Sequence, residues 1–317
     1  MKRFLPLALL AALAAVAALT ASTASAATHA AKASMLCNPF STTYSSLGRV
    51  LSVPAGARGT VVREPSLSQT AEEVPAYARG RGGPGFRATV DVYVHSVTDG
   101  SIGAVTNTQI SDQIRVMNNG YSGQEGGVNT GFRWRLAGTD RTDNAAWFYA
   151  GPGSSAERDM KKALHRGDAS DRNLYLTTAG AYLGWAYFPS SYKTKPWIDG
   201  IVVDWESMLH TSTRYAGAYY LGKTATPESG HWLGLYHVFQ GGCNHWGDYV
   251  DDTPPQLIAT RGCPEGQDSC SEPGLDSIHN YMDYSYDSCY DQFTAGQTAR
   301  MQDQWLFYRA NGGFTVQ

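Results

Sequence analysis

The sequence carries little charge, and neither sign dominates. Charged residues make up 17% of 317 positions, with 25 Lys and Arg against 28 Asp and Glu, a formal charge of -3. Without a basic surplus there is no electrostatic footprint for nucleic acid, so that class of partner is excluded. Long apolar runs are also missing after the first twenty residues, so nothing later is suited to span a membrane. Internal repeats are absent. Cysteine is scarce and its count of five is odd, so full oxidation within the chain leaves at least one over. What the chain does have is apolar content, 42%, with 34 glycines and 19 tyrosines. That composition can bury a core, which argues against wholesale disorder.

The N-terminus reads as a secretory signal. Lys2 and Arg3 are followed by an apolar run, Leu5 to Leu19, and then by the small-residue site Ala24-Ser25-Ala26. Cleavage after Ala26 leaves 317 - 26 = 291 residues with charge 23 - 28 = -5. The expected protein is therefore extracellular, has no membrane partner once the signal is removed, and is able to form disulfides. Residues 27–85 are rich in Ala, Ser, Thr, Gly and Pro and end in Gly80-Arg81-Gly82-Gly83-Pro84-Gly85, a linker signal. They read as an N-terminal extension or pro-segment, ahead of one domain over 86–317.

In that domain, Val90, Val92 and Val94 alternate with polar residues, as do Phe132, Trp134 and Leu136, which predicts two strands. Leu174–Leu176, Gly184–Phe188 and Ile201–Val203 predict three more. Thr106 to Gln109 forms a capping box ahead of Ile110, Ile114 and Met117. Ser154 or Ser155 opens another helix, with Gly167 as its stop. The fold class is thus α/β, a mixed sheet with helices. From about Asp204 onward the chain reads as loop, apart from one helix around His231 and another starting at Thr294, whose Met301 and Trp305 should point inward.

The informative stretch is Thr226-Pro227-Glu228-Ser229-Gly230-His231-Trp232-Leu233-Gly234-Leu235-Tyr236-His237. A zinc hydrolase grips its metal with histidines on one helix face and holds a water beside it with an adjacent glutamate. A glycine three residues after the helical His lets the helix end in a left-handed turn, and the chain doubles back with another His. Glu228, His231, Gly234 and His237 have that spacing. Pro227 stands where a first His belongs.

This stretch, continuing through Phe239-Gln240-Gly241-Gly242-Cys243, resembles the active-site helix of pappalysin-family metzincins. His279-Asn280-Tyr281-Met282-Asp283-Tyr284 resembles that family's Met-turn. Gly247–Pro254, Gln292–Gln297, Asn144–Phe148 and Leu183–Ala186 are similar to it as well, so the resemblance covers roughly residues 86–310. It implies an α+β metzincin-like fold with a loop-rich C-terminal subdomain, and a secreted zinc endopeptidase acting on proteins or peptides. It further implies zinc ligands at His231 and His237, a general base at Glu228, an oxyanion-stabilising Tyr284 and a hydrophobic floor at Met282. Gly184–Phe188 would be the edge strand on which a peptide adds. Asp287 would sit where metzincins build the pocket for the residue after the scissile bond and would favour Lys or Arg there. A solvated loop carboxylate is the competing reading.

Pro227 cannot ligate a metal. Proline is welcome at the start of a helix, with Thr226 as N-cap, so the scaffold is expected to survive even though the zinc site is weakened. His210 and His245 are the candidate replacement ligands, whereas His279 belongs to the Met-turn pattern. Two readings follow: a zinc-dependent metalloendopeptidase with impaired metal binding, or an inactive relative that binds peptides in the retained cleft.

Cys243, Cys263, Cys270 and Cys289 allow three pairings, among which spacing does not choose. The resemblance implies Cys243–Cys270 and Cys263–Cys289. It also implies calcium near Asp248, Asp251, Asp252 and Thr253, whose hard oxygens suit that ion; a solvated acidic turn is the alternative. Cys37 is left over in the pro-segment. A thiolate there could cap the zinc as a latency switch, although the sequence around it, Leu36-Cys37-Asn38-Pro39, lacks the usual Arg-x-Cys-Gly context.

Overall fold

The computed structural model describes 46–50 (backbone only), 74, 78–180, 182–244 and 247–310. All of these fall within Asn38–Gln317, which forms one compact unit. The signal peptide, Cys37 and His245 lie outside the described residues.

Among the described residues, six strands form one sheet in the order β1-β5-β6-β4-β2-β3. They are β1 (Ser46–Val50), β2 (Ala88–Thr98), β3 (Phe132–Asp143), β4 (Arg172–Thr177), β5 (Tyr182–Tyr187) and β6 (Ile201–Asp204). β2, β3, β4 and β6 run parallel, and β5 is antiparallel to β6. Among the described residues the α-helices are α1 (Asn107–Ser122), the single turn α2 (Ala145–Phe148), α3 (Ser155–Leu164), α4 (Ala225–Trp232) and α5 (Ala295–Tyr308). The mixed α/β reading therefore holds, including the long irregular stretch between α4 and α5.

Strand alternation divides the core into two. Val90, Val92, Val94, Leu174, Leu176, Ile201 and Val203 face the helices α1, α4 and α5. Tyr175, Trp185, Tyr187 and Val202 face the opposite way, against Phe148 and Met160. Both expected capping boxes form, at Thr106 with Gln109 and at Thr294 with Gln297. Met301 and Trp305 are buried, as their spacing required. α3 ends at His165 rather than at Gly167, which takes a left-handed φ two residues later.

α4 differs from expectation at its start. Its N-cap is Thr224 rather than Thr226, so Pro227 occupies the third helical position instead of the first. Proline fits there because the first four N–H groups of a helix have no intrahelical acceptor. The whole of α4 is buried.

Candidate metallopeptidase site

α4 ends in a Schellman turn. Gly234 N donates to His231 O (2.8 Å), Leu235 N donates to Gly230 O (2.9 Å), and Gly234 has φ +92°. A Cβ at Gly234 would strike the Gln304 side chain at 2.6 Å, so glycine is required twice over, by conformation and by space. The turn also presents the Leu235 carbonyl to Nδ1 of His231 at 2.8 Å. The doubled-back chain then brings in His237, whose Nδ1 lies 2.9 Å from the carbonyl of Met282. A carbonyl only accepts, so each Nδ1 carries a hydrogen, and in a neutral ring Nε2 is then the nitrogen that can ligate a metal. These two Nε2 atoms are 3.2 Å apart. Two nitrogens each ~2.1 Å from one tetrahedral zinc sit about 3.4 Å from each other, so the pair suits a shared metal.

The Met-turn lies beneath. A Cβ on Gly230 would meet the Met282 sulfur at 2.6 Å, so the helix needs glycine there to rest on the methionine. Asn280 anchors the turn. Its Oδ1 accepts from Met282 N (2.9 Å), and its amide exchanges hydrogen bonds with Gln297 of α5. Tyr284 sets its ring edge-on to His237, with centroids 4.7 Å apart. Glu228 is buried one turn ahead of His231, and its side chain runs beside Gly184 of β5. At Gly184 a Cβ would lie 2.7 Å from Val202 O and 3.1 Å from Glu228 Cγ. The sequence reading missed this role, although an isolated glycine inside a strand is a signal of close approach.

Among the described residues the donor set at this site stops at two histidines. His210 is exposed and His279 is engaged with the Cys289 carbonyl at 2.7 Å. Among the described residues, three-donor groups surround only the bridges Cys263–Cys289 and Cys243–Cys270, whose sulfurs are committed to each other. Those two bridges are the pairing that the resemblance implied.

The remaining candidates separate. Asp287 is fully buried, not a solvated loop carboxylate, and its Oδ2 accepts from Leu221 N at 2.8 Å. Asp248 is also buried. Its Oδ1 accepts from Val250 N and from the Thr253 hydroxyl, while its Oδ2 has no hydrogen-bond partner. Burial pushes its carboxyl up to about 7. The Asp252 carboxylate caps α5 by accepting from the Thr294 hydroxyl (2.6 Å) and Gly296 N (2.8 Å).

β1 pairs antiparallel with β5 along the edge beside Glu228, with Arg49 opposite Gly184 and Leu47 opposite Ala186. A segment of the N-terminal extension thus holds the edge on which a substrate strand would add.

A mostly parallel sheet with the antiparallel strand β5 beside Glu228, a buried helix carrying Glu and His, a glycine turn to a further His and a methionine floor together define a metzincin metallopeptidase. The family model for pregnancy-associated plasma protein-A matches residues 173–305. An extracellular metalloprotease of Neurospora crassa is 47% identical over 230 residues, 70% of this chain and 76% of that protein. One from Arthroderma benhamiae is 38% identical over 282 residues, 86% of this chain and 92% of the relative. Mature mirolysin of Tannerella forsythia, solved in complex with a cleaved peptide, superposes with a TM-score of 0.60 at 29% identity, covering 72% of this chain and 94% of mirolysin. The chain belongs to the pappalysin family of metalloproteases.

Proposed function

We propose that this protein is a secreted zinc-dependent endopeptidase whose metal is held by His231 and His237, and whose turnover is reduced because Pro227 stands where a further ligand belongs. The carrying observation is the pair of converging Nε2 atoms, 3.2 Å apart, each set by a carbonyl behind it. Secretion is supported by the extracellular relatives and by the signal-like residues 1–26. Zinc, when bound, supplies a Lewis acid for water and the scissile carbonyl. Glu228 takes a proton from the attacking water and returns it to the leaving amine. Tyr284 donates a hydrogen bond to the developing oxyanion. The peptide adds as a strand to β5, and Asp287 favours Lys or Arg after the scissile bond. Residues 27–85 act as a pro-segment, because β1 already holds the β5 edge that a substrate needs.

Calcium is assigned to Asp248 and Thr253. The unpartnered Asp248 Oδ2 is what a hard cation would satisfy, and an ionised carboxylate there needs a counter-charge.

Pro227 carries the second reading, an inactive peptide-binding relative. Catalytic zinc is normally held by three protein ligands, and binding weakens by several kcal/mol as ligands are lost. Zinc content separates the two readings. The endopeptidase retains close to one equivalent after dialysis and cleaves a denatured protein, and Pro227→His raises both values. Under about a tenth of an equivalent in the parent, with no cleavage, establishes the second reading.

A further inference from the structure

Glu157 is a carboxylate with no contact to solvent, far from the histidine pair in sequence and on the other face of the sheet. Four donors converge on it. Oε1 accepts from the Trp185 indole N–H at 2.7 Å and lies 3.2 Å from the Lys161 ammonium. Oε2 accepts from the Tyr187 hydroxyl at 2.9 Å and from Gly153 N at 2.6 Å. Lys161 is equally buried; it also donates to the Ile198 carbonyl and lies 4.2 Å from the Tyr187 ring centroid. The pair is therefore satisfied on both sides, the condition under which a buried ion pair is tolerable.

Two of the four donors, Trp185 and Tyr187, are alternate residues of β5. They share one face of that strand, and Gly184 and Ala186 occupy the other. Gly184 is the residue against which Glu228 packs. On its inner side β5 pairs with β6 only through Gly184, Trp185 and Ala186. Its outer edge is held by β1 and is the edge a peptide must reach once β1 has left it, so the β5 face turned to Glu157 has to keep the strand in place. Rotation or slippage of β5 would carry Gly184 away from Glu228 and misalign the peptide-binding edge. Only a carboxylate offers two acceptor oxygens to four donors. A glutamine would turn an NH2 group toward two of them.

We propose that Glu157 is a positioning residue for peptide hydrolysis: its carboxylate, steadied by Lys161, rivets the Trp185–Tyr187 face of β5 so that the opposite face meets Glu228 and the outer edge, once β1 is removed, receives substrate. This rests on β5 being the substrate strand.

The test compares amide exchange in the full secreted chain, Glu157→Gln and Tyr187→Phe. The expected result is that Glu157→Gln speeds exchange of the 182–187 amides by about tenfold or more, while α5 and β2 keep parent rates. Tyr187→Phe, which removes one donor and leaves the ion pair, gives a smaller rise confined to the same amides. In peptidase assays of the parent and of Pro227→His, Glu157→Gln raises KM several-fold more than it lowers kcat. Parent exchange rates for β5 in both variants overturn the proposal. So does acceleration spread evenly over the whole domain by Glu157→Gln with no change from Tyr187→Phe. A local β5 effect without any change in KM leaves the rivet standing and instead refutes β5 as the substrate strand.

Discussion

The guanidinium of Arg172, on β4, donates to the hydroxyl of Ser229, on the active-site helix, and both side chains are fully buried. No carboxylate contacts Arg172 among the described residues. Its other partners are the Met117 sulfur at 3.3 Å and the Trp134 ring at 4.2 Å, and its Nε has none. Burial pulls the guanidinium down to about 9. A buried cation so poorly paired should be a net cost to folding. Arg172→Met is therefore expected to stabilise the protein by about 1–4 kcal/mol, read as a higher urea midpoint at unchanged slope. Ser229→Val alone removes the acceptor and should destabilise by about 1–3 kcal/mol. Combined with Arg172→Met, that loss should largely vanish, because the two sites are in contact and do not act additively.

Gly184 leaves no room for a methyl group between Val202 O and Glu228. Gly184→Ala should lower stability by about 1–3 kcal/mol through overpacking. It should also move Glu228, so kcat falls in the Pro227→His background while zinc content stays the same. A kcat equal to that of the Gly184 form would show that Glu228 is not held by this contact.

Much of this was legible because the signals were periodic or local. Val90, Val92 and Val94 alternate, Thr106 and Thr294 carry their own capping boxes, and Gly234 announces a left-handed turn three residues after His231. The start of α4 was misread because Thr226-Pro227 imitates an N-cap with proline behind it, whereas the buried packing of Ala225 extends the helix back to Thr224. Glu157, Arg172 and the Gly184 contact stayed hidden for another reason. Each depends on a partner distant in sequence, Trp185 for Glu157, Ser229 for Arg172 and Glu228 for Gly184, and no local pattern encodes which buried face a side chain will meet.

The bridge Cys263–Cys289 closes a loop with a sequence separation of 26 and ties the Met-turn region to the preceding loop. His279 leans on the Cys289 carbonyl at 2.7 Å, so the bridge also supports the approach to Met282. Replacing both cysteines by serine is expected to cost about 3–4 kcal/mol in the loop-entropy model. Thermal unfolding followed by circular dichroism measures it. A loss under about 1 kcal/mol would mean that the denatured chain is already compact in this region.

Asp204, at the end of β6, supplies the clearest pH dependence. Burial raises its carboxyl from 3.8 to about 6, against the opposing hydrogen bonds from Glu206 N (2.9 Å) and the Tyr215 hydroxyl (2.8 Å) and the Arg214 charge at 3.8 Å. The folded state therefore holds this proton more tightly than the unfolded state does. Below about pH 4 both states are protonated and the contribution to stability is fully present. Between about pH 4 and pH 6 the unfolded chain ionises first, and stability falls as pH rises. Above about pH 6 both are ionised and the loss levels off near ~3 kcal/mol. Asp204→Asn cannot ionise, so it should lack this fall, apart from a constant offset for the acceptor it gives up. The checking measurement is the difference in urea midpoint between parent and variant at pH 4, 5, 6 and 7, which cancels the other carboxylates. A difference that stays flat across that window would place Asp204 in contact with water and remove the argument from burial.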